Sequence, residues 1–546
     1  MRNSFLASLV ALSLVACGQD EVSEPVPSAP ATAPAVTRAD AAGLSQDYAA
    51  FRATQVSEIR YRLHVDLDPA LPDYSGSNTV SFELGDATSP VTIDFSGGEV
   101  SNVVVNGTGV DVDYNGQFIT LPAASLRAGW NEAVIEFRHA WSDDGTGLYR
   151  YDDADDGNTY LYTDFQPYDA NAAFPLFDQP DLKARFTLSV TAPDGWHVIS
   201  TDRETSIDSI ADDRMRWTFP ETPLMQTYIM SLHAGPYAVW EEPDFRIPQR
   251  LFARQTLAHL VEPDVPTWFD YTRRGFDFFE PYYGIDYPFT KYDQVIVPDF
   301  NSGAMENAGA VTFNERSFIQ RDGWSHKETR WLVEVILHEM AHMWFGNYVT
   351  MSWWNDLWLS ETFAEFMAYK AAPDLDIHDA WEGFYLDRKY YAYWLDQRRT
   401  THPIEAEIGD TFEAGTTFDM ISYAKGASVL RQLEFWLGED VFQDGISRYL
   451  ETHAYGNATL DDLVAALSDA AGTDLADWAH DWIATAGVNT IEADFACADD
   501  KITEFALVQT APANNPVLRT QKVQVGFFRD TDGVVVTDEV LPVLYS

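Results

Sequence analysis

One short motif constrains this chain more than any other feature: two histidines four positions apart, His338 and His342, with Glu339 directly after the first. On an α-helix, residues i and i+4 lie on one face, so both imidazoles can point at the same metal ion. Glu361 follows at a distance that allows a turn and a second helix to bring its carboxylate back. Two histidines and one glutamate leave the fourth zinc position open, which is typical of catalytic sites. The motif therefore predicts a zinc site with Glu339 beside the open position.

Chance is the alternative origin of this motif. A chain with 12 histidines and 85 acidic residues among 546 is expected to contain about 0.04 such motifs by accident. The segments Trp331–Val333 and Val335–Leu337 before it are apolar, which predicts a buried helix where two histidines without partners would be costly. These neighbours favour a metal site, and Glu361 strengthens that interpretation.

The composition is that of a large globular protein. Its residues are 46% hydrophobic and 14% aromatic, enough to fill large cores. A chain of 546 residues is too long for one hydrophobic core, so we predict about three domains. Its formal net charge of −50 makes nucleic acid and anionic membranes unfavourable partners. We interpret the charge as a solvated acidic surface, which would also mildly favour cationic substrates.

The first residues have the pattern of an export signal. Arg2 precedes the apolar segment Phe5–Val15, which is too short to span a bilayer. Leu14–Cys17 resembles the bacterial lipobox, in which the cysteine becomes the lipid-modified first residue; an ordinary secretion signal with a chance cysteine is the alternative. We therefore predict a lipoprotein signal peptide over residues 1–17 and an exported protein anchored through Cys17, in the periplasm or at the outer membrane.

Residues 18–45 are rich in Pro, Ala, Ser, Glu and Asp and lack periodicity, so they predict a disordered tether. The lipid on Cys17 would then be the protein's contact with the membrane. Cys497 is the second of two cysteines and has no disulfide partner, so we predict that it is a buried small apolar residue.

Residues 46–240 predict an all-β, sandwich-like domain. Polar and apolar residues alternate in Arg60–Leu67 and Thr79–Leu84, and turn signals such as Asn106-Gly107 separate the segments. The stretch Thr163–Pro180 is too irregular for a strand and too aromatic for a linker. A functional loop and a loop that only packs against its neighbours both explain it.

Residues 241–485 contain longer segments in which apolar residues recur with the period of an α-helix. The predicted helices are 265–280, 326–345, 357–372, 379–396, 418–437 and 440–453. Between the first two, the strand-like Gln294–Val297 precedes Pro298–Gly309, in which glycine and asparagine flank an acid. Such a segment suits a sheet edge or loop that holds an extended peptide by β-addition, and an ordinary tight turn is the alternative.

Residues 486–546 return to strand-like patterns, in Thr503–Gln509 and Lys522–Phe528. They predict the beginning of a small C-terminal β-sandwich domain. The fold class is therefore multidomain α+β, with a β-rich region on each side of a largely helical one.

Several motifs together resemble one known family. Gly303–Asn307, His338–His342 and Glu361, in this order, resemble the M1 family of zinc aminopeptidases, which belongs to the gluzincin clan. Five further segments resemble the family in the same order: Phe174–Phe186, Trp344–Asn347, Trp358–Ala364, Ile421–Ala427 and Trp482–Val488. The resemblance spans most of the chain and implies a thermolysin-like catalytic domain over residues 241–485.

The resemblance implies one Zn²⁺ per chain, bound by His338, His342 and Glu361. Glu365 comes one helical turn after Glu361 and would accept a hydrogen bond from a ligand histidine, which fixes its tautomer.

The same resemblance implies the catalytic roles. Glu339 would be the general base that activates the zinc-bound water and passes its proton to the leaving amine. Tyr423 matches the family tyrosine and would donate a phenolic hydrogen bond to the oxyanion.

Substrate binding is implied for Glu306, whose carboxylate would pair with the free α-ammonium group of a peptide. The neighbouring Gly303, Ala304 and Met305 would hold the peptide backbone. In many family members the positions of Asp164 and Gln166 carry Gln and then Glu, so here Gln166 would accept from the ammonium group without adding a negative charge.

We therefore predict a monomeric, lipid-anchored zinc aminopeptidase that acts on peptides with a free N-terminus. The alternatives are an epoxide hydrolase of the leukotriene A4 hydrolase type, an endopeptidase of the same clan, and a catalytically inactive surface-binding lipoprotein. Many family members continue into a complete third domain and a large helical domain, whereas the resemblance here ends within the third domain, which predicts a C-terminally truncated form.

Overall fold

The structure is a computed structural model that describes residues 36–39, 41, 43–321, 323–499 and 501–545. The predicted signal peptide and the lipid attachment at Cys17 lie outside the described residues and stay predictions. Packed contacts begin before residue 45, the predicted end of the tether. Arg38 pairs with the buried Asp94 at 3.2 Å, and Leu44 is fully buried.

A short helix, Gln46–Gln55, opens the β-rich region, although this region was predicted to contain strands alone. The Ser45 side chain caps it by accepting from the Tyr48 amide. Arg52 on this helix is completely buried and binds Asp94 at 2.8 Å. Because a buried guanidinium needs an anionic partner, this ion pair ties the helix to the sheet below it.

The β-rich region contains three sheets. The largest has eight strands in the order Ser206–Ala211, Arg214–Glu221, Ala184–Pro193, Val56–Asp66, Asp73–Leu84, Gly129–Ala140, Glu99–Val105, Thr108–Gly109. The second has four strands in the order His197–Ile199, His233–Gly235, Thr159–Asp164, Gly147–Asp152. The third has three strands in the order Val91–Asp94, Phe118–Leu121, Asp113–Tyr114. In the strand Val56–Asp66, Tyr61, Leu63 and Val65 are buried and Arg62 is exposed, so the predicted alternation is confirmed there.

A five-stranded sheet of mixed strand direction belongs to the catalytic region. Its strands are ordered Ala238–Glu242, Gln249–Ala253, Tyr292–Val297, Ala310–Asn314, Ala304–Met305. The central strand Tyr292–Val297 is buried along its whole length and parallel to both neighbours. The strand Ala304–Met305 forms the edge of the sheet and is antiparallel to Ala310–Asn314. This agrees with the sheet-edge interpretation of the sequence and not with an ordinary tight turn.

Helices make up most of the remaining catalytic region. The α-helices are Ala258–Val261, Val265–Tyr283, Glu315–Phe318, His326–Ala341, Trp358–Ala371, Ala380–Gly383, Tyr390–Asp396, Thr411–Ala414, Gly426–Leu437, Glu439–Thr452, Leu460–Ala471 and Ala476–Trp482. Two of the predicted helices contain π-helical turns, Phe384–Lys389 and Ile421–Lys425. Such turns occur frequently at functional sites.

The C-terminal strands form two antiparallel ribbons, Thr490–Ala498 with Lys501–Thr510 and Gln521–Thr531 with Val534–Tyr545. Every residue of Thr490–Ala498 is exposed. The prediction that Cys497 is buried is therefore wrong, because the ribbon that carries it has no covering layer in the described part of the chain. No helix among the described residues has the length and apolar character that a bilayer crossing requires.

Candidate active site

The helix His326–Ala341 positions the histidine motif. A capping box formed by Ser325 and Glu328 starts the helix. The apolar side chains Leu332, Ile336 and Leu337 are buried, which holds the helix in the interior of the domain. His338 lies in its last turn, and His342 is the residue that ends it.

The second helix, Trp358–Ala371, brings Glu361 to the two histidines from its first turn. The Nε2 atoms of His338 and His342 are 3.0 Å apart. Each of them lies 3.4 Å from Oε2 of Glu361. For ligands about 2.0–2.1 Å from a tetrahedral zinc ion, neighbouring ligand atoms lie about 3.3 Å apart. The three side chains therefore fit a zinc ion in both chemistry and spacing.

Polar contacts on the outer side of the imidazoles orient the two rings. Nδ1 of His342 lies 3.0 Å from the Phe345 carbonyl oxygen and 2.9 Å from Ser360 Oγ. A carbonyl can only accept, so Nδ1 carries the proton and Nε2 presents a lone pair to the site. Nδ1 of His338 lies 3.5 Å from Oε2 of Glu365, the acceptor predicted from the sequence; this is an electrostatic contact, longer than a normal hydrogen bond.

Arg388 holds Glu365 in turn. Its guanidinium donates to both carboxylate oxygens of Glu365, at 2.8 and 3.0 Å. Burial works against ionising Glu365, but Arg388 and His338 outweigh it and lower the pKa of this carboxyl to about 2. The ionised Glu365 is then a strong acceptor for His338. Sequence reasoning missed Arg388, since nothing in its surroundings distinguishes it from other helical arginines.

Electrostatics distinguish the three acids that surround the histidines. A second trio, Glu306, Glu339 and His342, also brings its ligating atoms within 4.8 Å of one another. Burial raises the pKa of Glu306 and that of Glu339, so each of these carboxyls needs a cation beside it to ionise near neutral pH. Burial alone would raise the pKa of Glu361, but the two adjacent histidines outweigh it and lower this pKa. Glu361 is therefore the better anionic ligand.

Glu339 and Tyr423 complete the catalytic set that the sequence predicted. Glu339 is 5% exposed, and its Oε2 has no hydrogen-bond partner within the described part of the chain. The Tyr423 ring stacks on His338 with 5.9 Å between centroids. Burial, followed by the charges of Glu361 and Glu306, raises the pKa of Tyr423 well above its usual value. Its phenol therefore stays protonated and can donate.

Glu306, the predicted partner of the substrate ammonium group, follows directly after the edge strand Ala304–Met305. It is 3% exposed, and Gln166 Nε2 donates to its Oε1 at 3.4 Å. Asn347 Nδ2 donates to the Glu306 carbonyl at 2.8 Å and fixes the main chain there. Asp164, on the strand Thr159–Asp164, lines the same cavity.

One cavity of about 450 Å³ is lined by the ionisable side chains described above. Eleven of the sequence-predicted site residues line it, namely Gln166, Gly303, Ala304, Met305, Glu306, His338, Glu339, His342, Glu361, Glu365 and Tyr423. Residues that sequence reasoning missed also line it, among them Trp331, Glu334, Tyr369, Arg388, Gly415 and Phe418. The predicted lipid site Cys17 is the remaining site residue, and it lies outside the described residues.

Replacing Arg388 by glutamine should weaken metal binding about 10- to 100-fold, the usual effect of removing an outer partner of a ligand. The reason is that Glu365 would lose both of its hydrogen bonds from the guanidinium and hold His338 less firmly. Competition with a chromophoric chelator measures the affinity. Arg398→Gln is the matched control, since Arg398 is exposed and stacks on Trp394. Equal affinities of the two variants would contradict this role for Arg388.

A buried carboxylate beside three converging metal-ligating side chains is the arrangement of a metallohydrolase. Comparison with protein families agrees. The Peptidase family M1 domain matches residues 268–482, and the Peptidase M1 N-terminal domain matches residues 57–229. The chain belongs to peptidase family M1.

Curated relatives are similar along most of this chain. Aminopeptidase N of Streptomyces lividans is 38% identical over 506 residues, which are 90% of this chain and 58% of that protein. Aminopeptidase 2 of Candida albicans is 34% identical and covers 82% of this chain and 50% of its own. Leucyl aminopeptidase of Saccharolobus solfataricus is 34% identical and covers 78% of this chain and 53% of its own. The chain thus spans about half the length of the relatives it matches.

Proposed function

We propose that the protein is a zinc-dependent aminopeptidase that hydrolyses the first peptide bond of peptides with a free N-terminus. The observation that carries the proposal is the position of Glu306. Its carboxylate lies in the same cavity as His338, His342 and Glu361, within 4.8 Å of the ligating atom of His342. A buried acid so close to the reacting position would bind an α-ammonium group and leave room for one residue before the cleaved bond.

The three ligating residues would hold the metal, and Glu339 would move the proton. A zinc ion bound by His338, His342 and Glu361 would supply Lewis acidity, which polarises the scissile carbonyl and lowers the pKa of water. The free Oε2 of Glu339 is available to accept a proton from the attacking water. Glu339 would then deliver this proton to the leaving amine, as a general base that becomes a general acid.

Tyr423 would stabilise the charge that develops on the carbonyl oxygen. Its phenol faces the cavity beside Glu361, and a donor held in advance stabilises an oxyanion without further reorganisation. The edge strand Ala304–Met305 has one neighbour in its sheet, Ala310–Asn314. Its other edge would accept an extended peptide through main-chain hydrogen bonds.

The experiment that tests this function compares a peptide with its N-acetylated form. The wild-type protein should cleave the free peptide, and Glu306→Gln should lower kcat/KM for it about 10- to 100-fold, because a charge-assisted hydrogen bond is replaced by a neutral one. The N-acetylated peptide should be a poor substrate for both proteins. Equal cleavage of the two peptides would refute the aminopeptidase and favour an endopeptidase. An epoxide substrate, tested in parallel, separates this activity from epoxide hydrolysis.

Asp164 should make substrate binding depend on pH near neutrality. Burial, followed by the charges of Asp169 and Glu306, raises the pKa of Asp164 to about 7. Above that pH the ionised Asp164 adds a negative charge to the ammonium site, and below it the added charge is lost. We therefore expect KM to fall as the pH rises through about 7, while the substrate amine, with a pKa near about 8, stays largely protonated.

The pH profile of KM tests this role of Asp164. In Asp164→Asn the fall in KM should disappear, because the amide has no charge to gain. Asp143→Asn is the matched control, since Asp143 is exposed and lies outside the cavity. A profile that keeps its wild-type shape in Asp164→Asn would show that another group titrates.

A further inference from the structure

A second cavity, of about 350 Å³, lies where the catalytic region meets the C-terminal strands. It shares no lining residue with the catalytic cavity. Both π-helical turns lie between the two cavities: Arg388 and Tyr423 line the catalytic one, whereas Lys389 and Lys425 line the second. The second cavity is therefore a separate site that is built partly from the same segments.

The charge of this cavity is opposite to that of the protein. Four basic side chains line it, Lys389, Lys425, Arg519 and Lys522, against one acid, Asp396. The chain as a whole has 35 basic and 85 acidic residues. An excess of positive charge is therefore concentrated in one concave place on an otherwise acidic molecule, which makes it an attractive position for an anion.

The single acid of the cavity is already engaged. Asp396 binds Lys425 at 3.0 Å, and it accepts from Thr401 Oγ1 at 2.6 Å and from the Gly487 amide at 2.9 Å. The Asp396 carboxylate thus already forms an ion pair with Lys425 and a hydrogen bond with the main chain at Gly487. Asp396 forms no ion pair with the other three basic side chains, although its charge acts on Arg519 at longer range.

Those three side chains have no ion pair within the described part of the chain. The Arg519 side chain is 3% exposed, yet its partners are neutral, including the carbonyl oxygens of Asp481 and Ala486 at 2.6 and 2.9 Å. Lys522 donates to the Phe435 and Trp436 carbonyls. Lys389 lies over the Tyr393 ring at 5.6 Å. The Arg519 guanidinium also donates to Asn489 Oδ1 and to Thr485, so it adds positive charge to the cavity, while Lys389 and Lys522 have donors left for an anion.

The remaining wall of the cavity is apolar. Val429, Trp482, Val488, Ile491 and Val523 contribute to it. A volume of this size is within the range of sites for small organic molecules. The ligand should therefore combine an anionic group, for the basic side chains, with an apolar body, for this wall.

We propose that this cavity binds a small amphipathic carboxylate, with its carboxylate towards Lys389, Arg519 and Lys522 and its apolar part against Trp482 and Val429. A free amino acid fits less well, because its ammonium group would be repelled by the same basic side chains. The site is independent of the proposed peptidase function, since binding can be measured without turnover.

Isothermal titration calorimetry of the metal-loaded protein with 3-phenylpropanoate tests the site. We expect saturable binding of one ligand per chain that weakens with salt. The amine of the same shape, 3-phenylpropylamine, is tested on Glu306→Gln, which lacks the proposed ammonium site. It should bind this variant at least about tenfold more weakly than the carboxylate does, because a charge-assisted hydrogen bond to a carboxylate is worth that much or more. Inorganic phosphate should also bind at least about tenfold more weakly, because it has no apolar part.

Variants distinguish this cavity from the catalytic one, where a carboxylate could also bind. Lys389→Gln with Lys522→Gln should weaken binding at least about tenfold, and Lys389→Gln alone serves if the double variant does not fold. Lys501→Gln is the matched control, since Lys501 is exposed and is not part of the cavity. Unchanged carboxylate binding in the lysine variants, absence of binding, equally tight binding of phosphate, or equally tight binding of the amine to Glu306→Gln would each overturn the proposal.

Discussion

Glu339→Gln is expected to lower kcat by about 10²- to 10⁴-fold, the range that general acid–base catalysis contributes. Glutamine has nearly the same shape as glutamate but cannot accept a proton from water. The metal ligands His338, His342 and Glu361 are not changed by this substitution, so metal content should stay at the wild-type level. The loss should therefore be in kcat and not in metal binding, and KM should change little.

The best control for this variant is Glu334→Gln. Glu334 lies on the same helix, one turn before His338, and lines the same cavity. Its carboxylate accepts from the Tyr369 phenol at 3.2 Å and is not one of the clustered ligating groups. Both substitutions remove one buried acid from one cavity, so a loss of overall charge would affect them equally. Turnover by Glu339→Gln within tenfold of that by Glu334→Gln would contradict its role as general base.

The parts of the site that could be predicted from sequence are those set by local geometry. His338 and His342 share a helix face because of their spacing, and Glu361 needs only one turn and one further helix to reach them. The edge position of Ala304–Met305 was one of two interpretations, and the sheet order supports it. These features depend on periodicity and chain order, which a sequence shows directly.

The parts that could not be predicted depend on distant segments. Arg388 reaches Glu365 from a π-helical turn, and the helical period over residues 379–396 does not reveal where that turn interrupts it. The rise of the pKa of Asp164 to about 7 arises from its burial and then from the charges of the neighbouring acids Asp169 and Glu306. Neither position carries a local signal, because each depends on the tertiary packing around it.

The β-rich and C-terminal regions also contain tertiary contacts and exposed faces that the sequence pattern did not predict. Alternation predicted the strands, but it did not show that Arg38 and Arg52 both reach Asp94. In the C-terminal region the sequence predicted a sandwich domain and a buried Cys497, and the structure leaves Cys497 and Phe495 exposed. A strand pattern specifies which residues share a face, whereas a second layer of structure decides whether that face is buried.

Tyr423→Phe should lower kcat by about 10²- to 10³-fold, the usual cost of removing one donor to an oxyanion. KM should change little, because the phenol is expected to act on the charge that develops in the transition state. The pKa of Tyr423 is raised well above its usual value. The phenol of the wild-type enzyme should therefore stay protonated throughout an assay near neutral pH. Rates measured at saturating and at low substrate separate the two constants.

Tyr369→Phe is the matched control for the loss of a phenol. Tyr369 lines the same cavity and is buried, but its phenol donates to Glu334. If the Tyr423 hydroxyl acts on the oxyanion, its removal reduces kcat far more than removal of the Tyr369 hydroxyl. If both variants lose activity equally, or if Tyr423→Phe acts mainly on KM, the hydroxyl helps to shape the cavity and the oxyanion is stabilised by other groups.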